Sequence, residues 1–278
     1  TLFRSHLTGR YITIPVYPLS FDEYQRHHRA QGTTDSTDQL FSKYMMFGGM
    51  PGLFATGQPD QDKATEILTS IYESIVMKDV AGRYGIRDIA TLEKLSRYLF
   101  STSGNLFSVN KVANTLTSAG ANASYATVDN QISALERSFI VYSAQQERMR
   151  GKELLRPQRK FYPVDNGFRN LATGFNGSDR GAQLEGIVFM ELQRRGYDVT
   201  IGSLPDGEID FIAKRGNNKQ YIQVTLNMTE EQTRERELDP LRRLGDAFPR
   251  TVLTLDWHSE GMTDEGIHIT NVMDWLCS

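Results

Sequence analysis

Apolar and polar positions along this chain alternate between two periods, one helical and one strand-like, and the changes of period mark its parts. TLFRSHL (Thr1–Leu7) has a helical pattern stopped by Gly9, and YITIPVY (Tyr11–Tyr17) alternates like a β-branched strand. The polar run QGTTDSTDQ (31–39) predicts an exposed loop, with a helix starting at Leu40 and a turn at GGMPG (48–52). Ala64, Ile67, Leu68, Ile71 and Ile75 lie at helical spacing, which predicts an amphipathic helix over 61–81.

From Thr91 to Ser143 the pattern predicts three helices and a strand. TLEKLSRYLFS is the first helix. SVNKVANTLTSAG is the second, with Ser108 as N-cap and Gly120 as stop, and SYATVDNQISALERS is the third. FIVYSA follows as a strand. Three compact helices running into a β-hairpin describe a winged helix. From Gly181 the order is a helix (GAQLEGIVFMELQRRG), strands at YDVTIGSL, EIDFIAKR and KQYIQVTL, a helix around the proline of ELDPLRRLGDAF, and a strand at RTVLTLDW. IHITNVMDWL closes the chain. The expected fold is mixed α+β: a helical lid and winged-helix region, then a small α/β unit with a central mixed sheet.

Composition narrows the function classes. The formal net charge of −3 over 278 residues gives no global electrostatic case for nucleic acid, so any basic surface is local. One exists between 147 and 160, where Arg148, Arg150, Lys152, Arg156, Arg159 and Lys160 face only Glu147 and Glu153. The single cysteine, Cys277, excludes an internal disulfide and a multi-cysteine zinc site, and suits the cytoplasm. No apolar run approaches the roughly 18 residues of a membrane span, so no membrane partner is expected. The start, TLFRSHLTGR, lacks both a signal-peptide layout and an initiating Met, and reads as the later part of something longer. None of His6, His27, His28, His258 and His268 has metal-ligand spacing. Adjacent side chains diverge on a helix, so the His27–His28 pair is expected to be exposed to solvent.

Several stretches together resemble one family, the prokaryotic AAA-type ATPases that carry a C-terminal domain of unknown function. LTGRYITIPVYPLSFDEY (Leu7–Tyr24) resembles the end of their ATPase core, and FGGMPGL (Phe47–Leu53) their glycine-glycine-x-proline turn. DVAGRYGIRDIATLEKLSRYL and KFYPVDNGFRNL resemble the winged-helix region and the strand leaving it. LEGIVFMELQRRGYDV, GEIDFIA and YIQV resemble the C-terminal nuclease-like domain. The resemblance covers nearly the whole chain. It implies an ATPase-core remnant over 1–30, a helical lid and linker over 31–90, a winged helix over 91–165, and a PD-(D/E)xK nuclease-like domain over 166–278. It also implies ATP and Mg²⁺ as cofactors of the full-length protein. This chain contains no GK[ST] with which a P-loop would hold phosphates, and Gly151-Lys152-Glu153 lacks both the first glycine and the hydroxyl. The fragment alone is expected not to hydrolyse ATP.

Three sets of residues carry candidate chemistry. Arg10, at a helix-to-strand junction, is placed like an arginine that steadies a γ-phosphate, or else it simply satisfies helix-end carbonyls. Asn130 and Gln131 on the third helix, with the six wing cations, would contact DNA, or the winged helix docks on protein instead. The nuclease-like site comprises Glu185, Asp210, Gln223 and Thr225. The chemistry needs two carboxylates for Mg²⁺ and an x-acid-x-Lys pair on the next strand. Glu185 and Asp210 match the acidic positions and are the weak metal candidates, whereas Gln223-Val224-Thr225 replaces the acid and the lysine. Alternation places Asp210 with Ile212 on one face and Ile209 with Phe211 on the other. Three readings stay open for this site: an Mg²⁺-dependent nuclease with an atypical site, a remnant that binds without cutting, and a plain sheet in which Glu185, Asp210 and Gln223 satisfy one another. For the whole protein the expectation is an ATP-driven switch with DNA or protein as partner, against a regulatory interaction module. An oligomer is compatible with either.

Overall fold

A computed structural model describes residues 14–55, 57, 59–121, 123–148, 158–175, 179–205 and 207–278. The helix expected at Thr1–Leu7, with Gly9, lies outside them. Helix α1 (Phe21–Ala30) starts from a capping box of Ser20 and Glu23, and α2 (Thr37–Phe47) from one of Ser36 and Gln39. The second box lies within the segment expected to be loop, so the helix begins at Thr37 rather than Leu40. Helix α3 (Gln61–Ser74) widens into π-type turns over Ile75–Gly82, which together fill the helix expected over 61–81.

The three expected helices follow as α4 (Ile89–Ser101), α5 (Val109–Ser118) and α6 (Tyr125–Arg137), with the short strand β1 (Leu106–Phe107) between the first two. Ser108 caps α5 by accepting the Lys111 N–H at 3.4 Å, and Gly120 turns the chain at φ +85°. Then come β2 (Val141–Arg148), β3 (Arg159–Pro163) and α7 (Asn166–Thr173). The C-terminal unit is α8 (Arg180–Arg194), β4 (Asp198–Leu204), β5 (Gly207–Arg215), β6 (Asn218–Thr225), α9 (Glu231–Arg242) and β7 (Arg250–Thr254). β8 (Gly261–Met262), β9 (His268–Asn271) and α10 (Val272–Cys277) complete it.

Among the described residues the strands form one mixed sheet in the order β1-β3-β2-β4-β5-β6-β7-β9-β8. The β2/β3 hairpin is antiparallel, and β2 pairs in parallel with β4 from Gln145 opposite Thr200 to Arg148 opposite Ser203. The hairpin that follows the three helices is therefore continuous with the C-terminal sheet. One core gathers α3 to α6 around Leu95, Leu99, Phe100, Val128 and Ile132. A second lies between the sheet and α1, α2, α8 and α10, and a third lies under α9 on the opposite face.

Strand β3 ties the first two cores together through the alternation of its side chains. Phe161 packs edge-on against Phe107 in the first core, 5.0 Å between ring centroids. Tyr162 stacks on Phe189 in the second, at 4.2 Å. Two expectations change. Of the strand expected at Tyr11–Tyr17, residues 11–13 lie outside the described set, and Ile14–Tyr17 are unpaired, with Ile14 78% and Val16 91% exposed. Alternating β-branched residues become a strand only beside a free edge, and these have none among the described residues. His28, expected in solvent with His27, is 2% exposed and sits edge-on to Tyr24, 4.2 Å between centroids. The two side chains do not diverge as expected: their rings meet edge-on, 5.3 Å between centroids, and both lie against Phe54.

Two local features store conformational cost. Gly48 and Gly49 lead from α2 toward Asp165, a buried residue whose carboxylate accepts the Gly49 N–H at 2.7 Å and the Gly167 N–H at 2.8 Å. Burial raises its pKa to about 6 against the opposing effect of those two amides. Phe139 closes α6 with φ +58° although its side chain is 62% exposed. The Ile140 N–H returns to the Leu135 carbonyl at 3.4 Å, a closure in which this position is usually glycine. Phe139→Gly should therefore stabilise the protein by about 1 kcal/mol in urea denaturation, the relief of a left-handed non-glycine residue. A loss of stability would instead show that the exposed ring is held by a contact. Among the described residues no helix is long and apolar enough to cross a membrane.

Candidate functional site

The sequence forms the site where the central strands of the C-terminal unit part. Pairing between β5 and β6 runs from Arg215 opposite Asn218 to Phe211 opposite Ile222 and goes no further. On the other side, β4 meets β5 with a register shift: Thr200 faces Ile212, whereas Gly202 faces Ile209. The extra residue on β5 is a bulge at Asp210–Phe211. It corrects the expected alternation, because Ile209 and Ile212 both pack under α9 while Phe211 and Ala213 face the α8 side.

Side chains replace the lost ladder bonds. The Asp210 N–H donates to Gln223 Oε1 at 3.3 Å, and the Val224 N–H donates to Asp210 Oδ2 at 2.8 Å. Gln223 Nε2 in turn donates to Glu237 Oε2 on α9 at 3.0 Å. Arg236 holds the other Glu237 oxygen at 2.8 Å. Thr225, in the position of the motif lysine, uses its hydroxyl on the Asn227 carbonyl at 3.2 Å. A cleft of about 410 Å³ opens here, lined by Gly181, Glu185, Asp210, Gln223, Thr225 and Glu237 among others.

Glu185 does not join Asp210 and Gln223 by a hydrogen bond, contrary to the mutual satisfaction expected of the plain-sheet reading. It faces β3 instead. Tyr162 Oη donates to Glu185 Oε1 at 2.7 Å, and Lys160 Nζ lies 3.3 Å from the same oxygen. Lys160 also pairs with Glu208, two residues before Asp210. Lys160 is 5% exposed, so it is not the phosphate-facing wing cation expected of it. The reason is β3 alternation, which turns residue 160 toward α8.

The electrostatics follow from burial and a shortage of positive charge. Burial, reinforced by the charge of Glu185, pushes the Asp210 carboxyl well above the ordinary carboxylate range. Burial also raises Glu185, opposed by Lys160 and Tyr162. For Lys160, burial acts downward, but the charges of Glu185, Asp210 and Glu208 hold the ammonium above its ordinary value.

The remaining expected residues are scattered. Arg159 is engaged by the carboxylates of α6, Asp129 at 3.4 Å and Glu136 at 3.5 Å. Gln131 is 3% exposed and Asn130 is exposed, so only Asn130 of the two faces solvent. Arg10, Arg150, Lys152 and Arg156 lie outside the described residues, as does the side chain of Arg148. Tyr162, Glu208, Glu237 and the inward role of Lys160 were missed by sequence reasoning. The period-two spacings Lys160/Tyr162 and Glu208/Asp210 were the signal for all but Glu237.

The donor set suits Mg²⁺ poorly. One Asp210 oxygen serves the Val224 amide, one Glu185 oxygen serves Lys160 and Tyr162, and Gln223 is neutral with both amide ends used. Among the described residues no three His, Cys, Asp or Glu side chains are arranged to hold a metal ion.

The chain belongs to the family described as a domain of unknown function (DUF8612), whose model matches residues 38–179. It is 36% identical to an uncharacterised protein of Haemophilus influenzae over 97% of this chain and 66% of that protein. It is 27% identical to the uncharacterised protein MJ1544 of Methanocaldococcus jannaschii over 84% of this chain and 53% of that one. The chain thus spans about two thirds of the first relative and about half of the second. No solved structure matches it.

Proposed function

We propose that the chain is the partner-binding C-terminal portion of a prokaryotic AAA-type ATPase, with a nuclease-like unit that binds without cutting. In this reading ATP and Mg²⁺ act in a nucleotide-binding core, placed in the part of the longer relatives that this chain does not match. The order α8-β4-β5-β6-α9-β7, with acidic residues at Glu185 and Asp210, supports the nuclease-like ancestry. The observation that carries the non-cutting assignment is the replacement of the acid and the lysine on β6 by a tied Gln223 and Thr225. Asp210 and Gln223 each satisfy the backbone where the strands part, and Gln223 is further held by Glu237. Such a site keeps its shape and has lost its free charge.

DNA is the partner that the basic wing favours. With Lys160 turned inward and Arg159 engaged by Asp129 and Glu136, the contact falls to Arg148, Arg150, Lys152 and Arg156. Affinity for duplex DNA should fall with salt, by close to one unit of log–log slope per phosphate contact. Charge reversal of Arg148, Arg150 and Lys152 should weaken it. An affinity indifferent to both would make the partner a protein.

The test of the non-cutting assignment is calorimetric titration of Mg²⁺ and Mn²⁺ alongside plasmid cleavage, with Asp210→Ala as the control. The expected result is neither nicking nor metal heat beyond that of the control. Nicking abolished in Asp210→Ala would overturn the assignment in favour of an atypical Mg²⁺-dependent nuclease. One observation favours that second reading: Lys160 brings from β3 the positive charge that the motif lacks on β6.

A further inference from the structure

We propose that the N-terminus of α8, together with Arg169 and Arg180, is a binding site for a phosphate group. Arg169 on α7 is 1% exposed, yet among the described residues only its Nη2 has a partner, the carboxylate of Asp179. Its Nε and Nη1 are buried with no hydrogen-bond partner among the described residues. A buried guanidinium with open donors is costly, and native structures leave few such groups unmatched. The guanidinium reaches a helix start through Nη2, which meets the Asp179 carboxylate. Asp179 is the N-cap residue of α8, and its side chain makes no capping bond to the first-turn amides. It serves Arg169 instead, with its own side chain 57% exposed. Helix start and arginine together offer directed N–H groups and positive charge to an anion.

The surroundings suit a phosphate at the rim of the cleft rather than inside it. Gly181 and Glu185 of α8 line the acidic cleft, whose carboxylates repel an anion. Arg180 and Gln183 line a separate hollow of about 190 Å³ with Asn170, the neighbour of Arg169. Arg180, Gly181 and Asp179 are exposed, so the helix start is open to solvent. Asp179 is then an internal competitor: its carboxylate occupies the Nη2 arm of Arg169, and a phosphate would first have to displace it there before the buried Nε and Nη1 could be reached. The group is either free phosphate or a backbone phosphate of nucleic acid. The second source rests on the DNA reading above and would seat the strand beside the non-cutting cleft.

The test uses the whole chain with two probes, inorganic phosphate and a short single-stranded oligonucleotide, each titrated by calorimetry. Asp179→Asn removes the competitor at an exposed position and should tighten phosphate binding roughly tenfold, the worth of one charge-assisted hydrogen bond. Arg169→Met should abolish the gain. Since that buried change also threatens folding, Arg180→Ala, at an exposed position, is the second probe and should weaken binding severalfold with the circular dichroism unchanged. Phosphate bound no better by Asp179→Asn than by the parent, or by neither, overturns the site. Phosphate bound with these responses and oligonucleotide ignored keeps the site and removes the DNA source. Oligonucleotide bound with no response to residues 169, 179 or 180 removes this site and leaves the DNA reading intact.

Discussion

Gly48→Ala should destabilise the protein by on the order of 4 kcal/mol or more, enough to leave much of the chain unfolded at physiological temperature. Two costs combine. The residue has φ +76° and ψ −165°, a region that non-glycine residues scarcely enter, at about 1–3 kcal/mol. A methyl group there would also overlap the Asp165 carboxylate. That carboxylate cannot move freely, because it holds the Gly49 and Gly167 amides and thereby joins the end of α2 to the start of α7. Displacing it leaves a buried charge and two amides unmatched. Gly32→Ala is the control: φ is +78° there, but nothing lies within 4 Å of the added carbon, so about 1 kcal/mol is expected. Urea denaturation of both variants checks the difference. If the two fall equally, the clash with Asp165 is relieved by rearrangement and the junction is soft.

The same residues explain what the chain disclosed in advance and what it withheld. GGMPG reads as a turn from composition, but its need for two glycines comes from elsewhere in the chain: Asp165 stands against Gly48 and the Leu19 carbonyl against Gly49. Helices α5 and α6 were legible because Ser108 and Ser124 cap them locally and Gly120 and Arg137 end their patterns. Strands β4 to β6 were legible because burial enforces their apolar positions. Helix α9 was visible only from its apolar end around Leu238 and Leu241. Its first half, EQTRER, has little to bury and so shows no period. The candidate site was half legible. Glu185, Asp210, Gln223 and Thr225 do converge on one cleft, as strand and helix position required. The bulge at Asp210 and the parting of β5 from β6 depend on pairing, which no single strand encodes. Lys160 looked like one cation among six in a basic run. Only the registry of β3 against β2 and the position of α8 turn it inward while leaving its neighbour Arg159 with α6.

That inward lysine sets the other large effect expected. Lys160→Met should cost on the order of 3 kcal/mol near pH 7, the usual consequence of removing one partner from a buried pair. Methionine fills similar volume, so the loss reflects charge: Glu185 and Glu208 lose their cation, and Asp210 loses a nearby positive charge. A pH series separates this from mere loss of packing. Carboxyls whose folded pKa lies above the unfolded value bind more protons when folded, so stability is full below the unfolded pKa near 4 and is lost as pH rises through the folded value. Glu185 and Asp210 are raised in this way already, and without Lys160 they rise further. The deficit of Lys160→Met should therefore be small at about pH 4 and grow steadily toward neutrality. Urea midpoints of parent and variant at several pH values measure it. A deficit that does not change with pH would mean that the three carboxylates do not depend on Lys160, and the closed, non-cutting assignment of the cleft would lose its electrostatic basis.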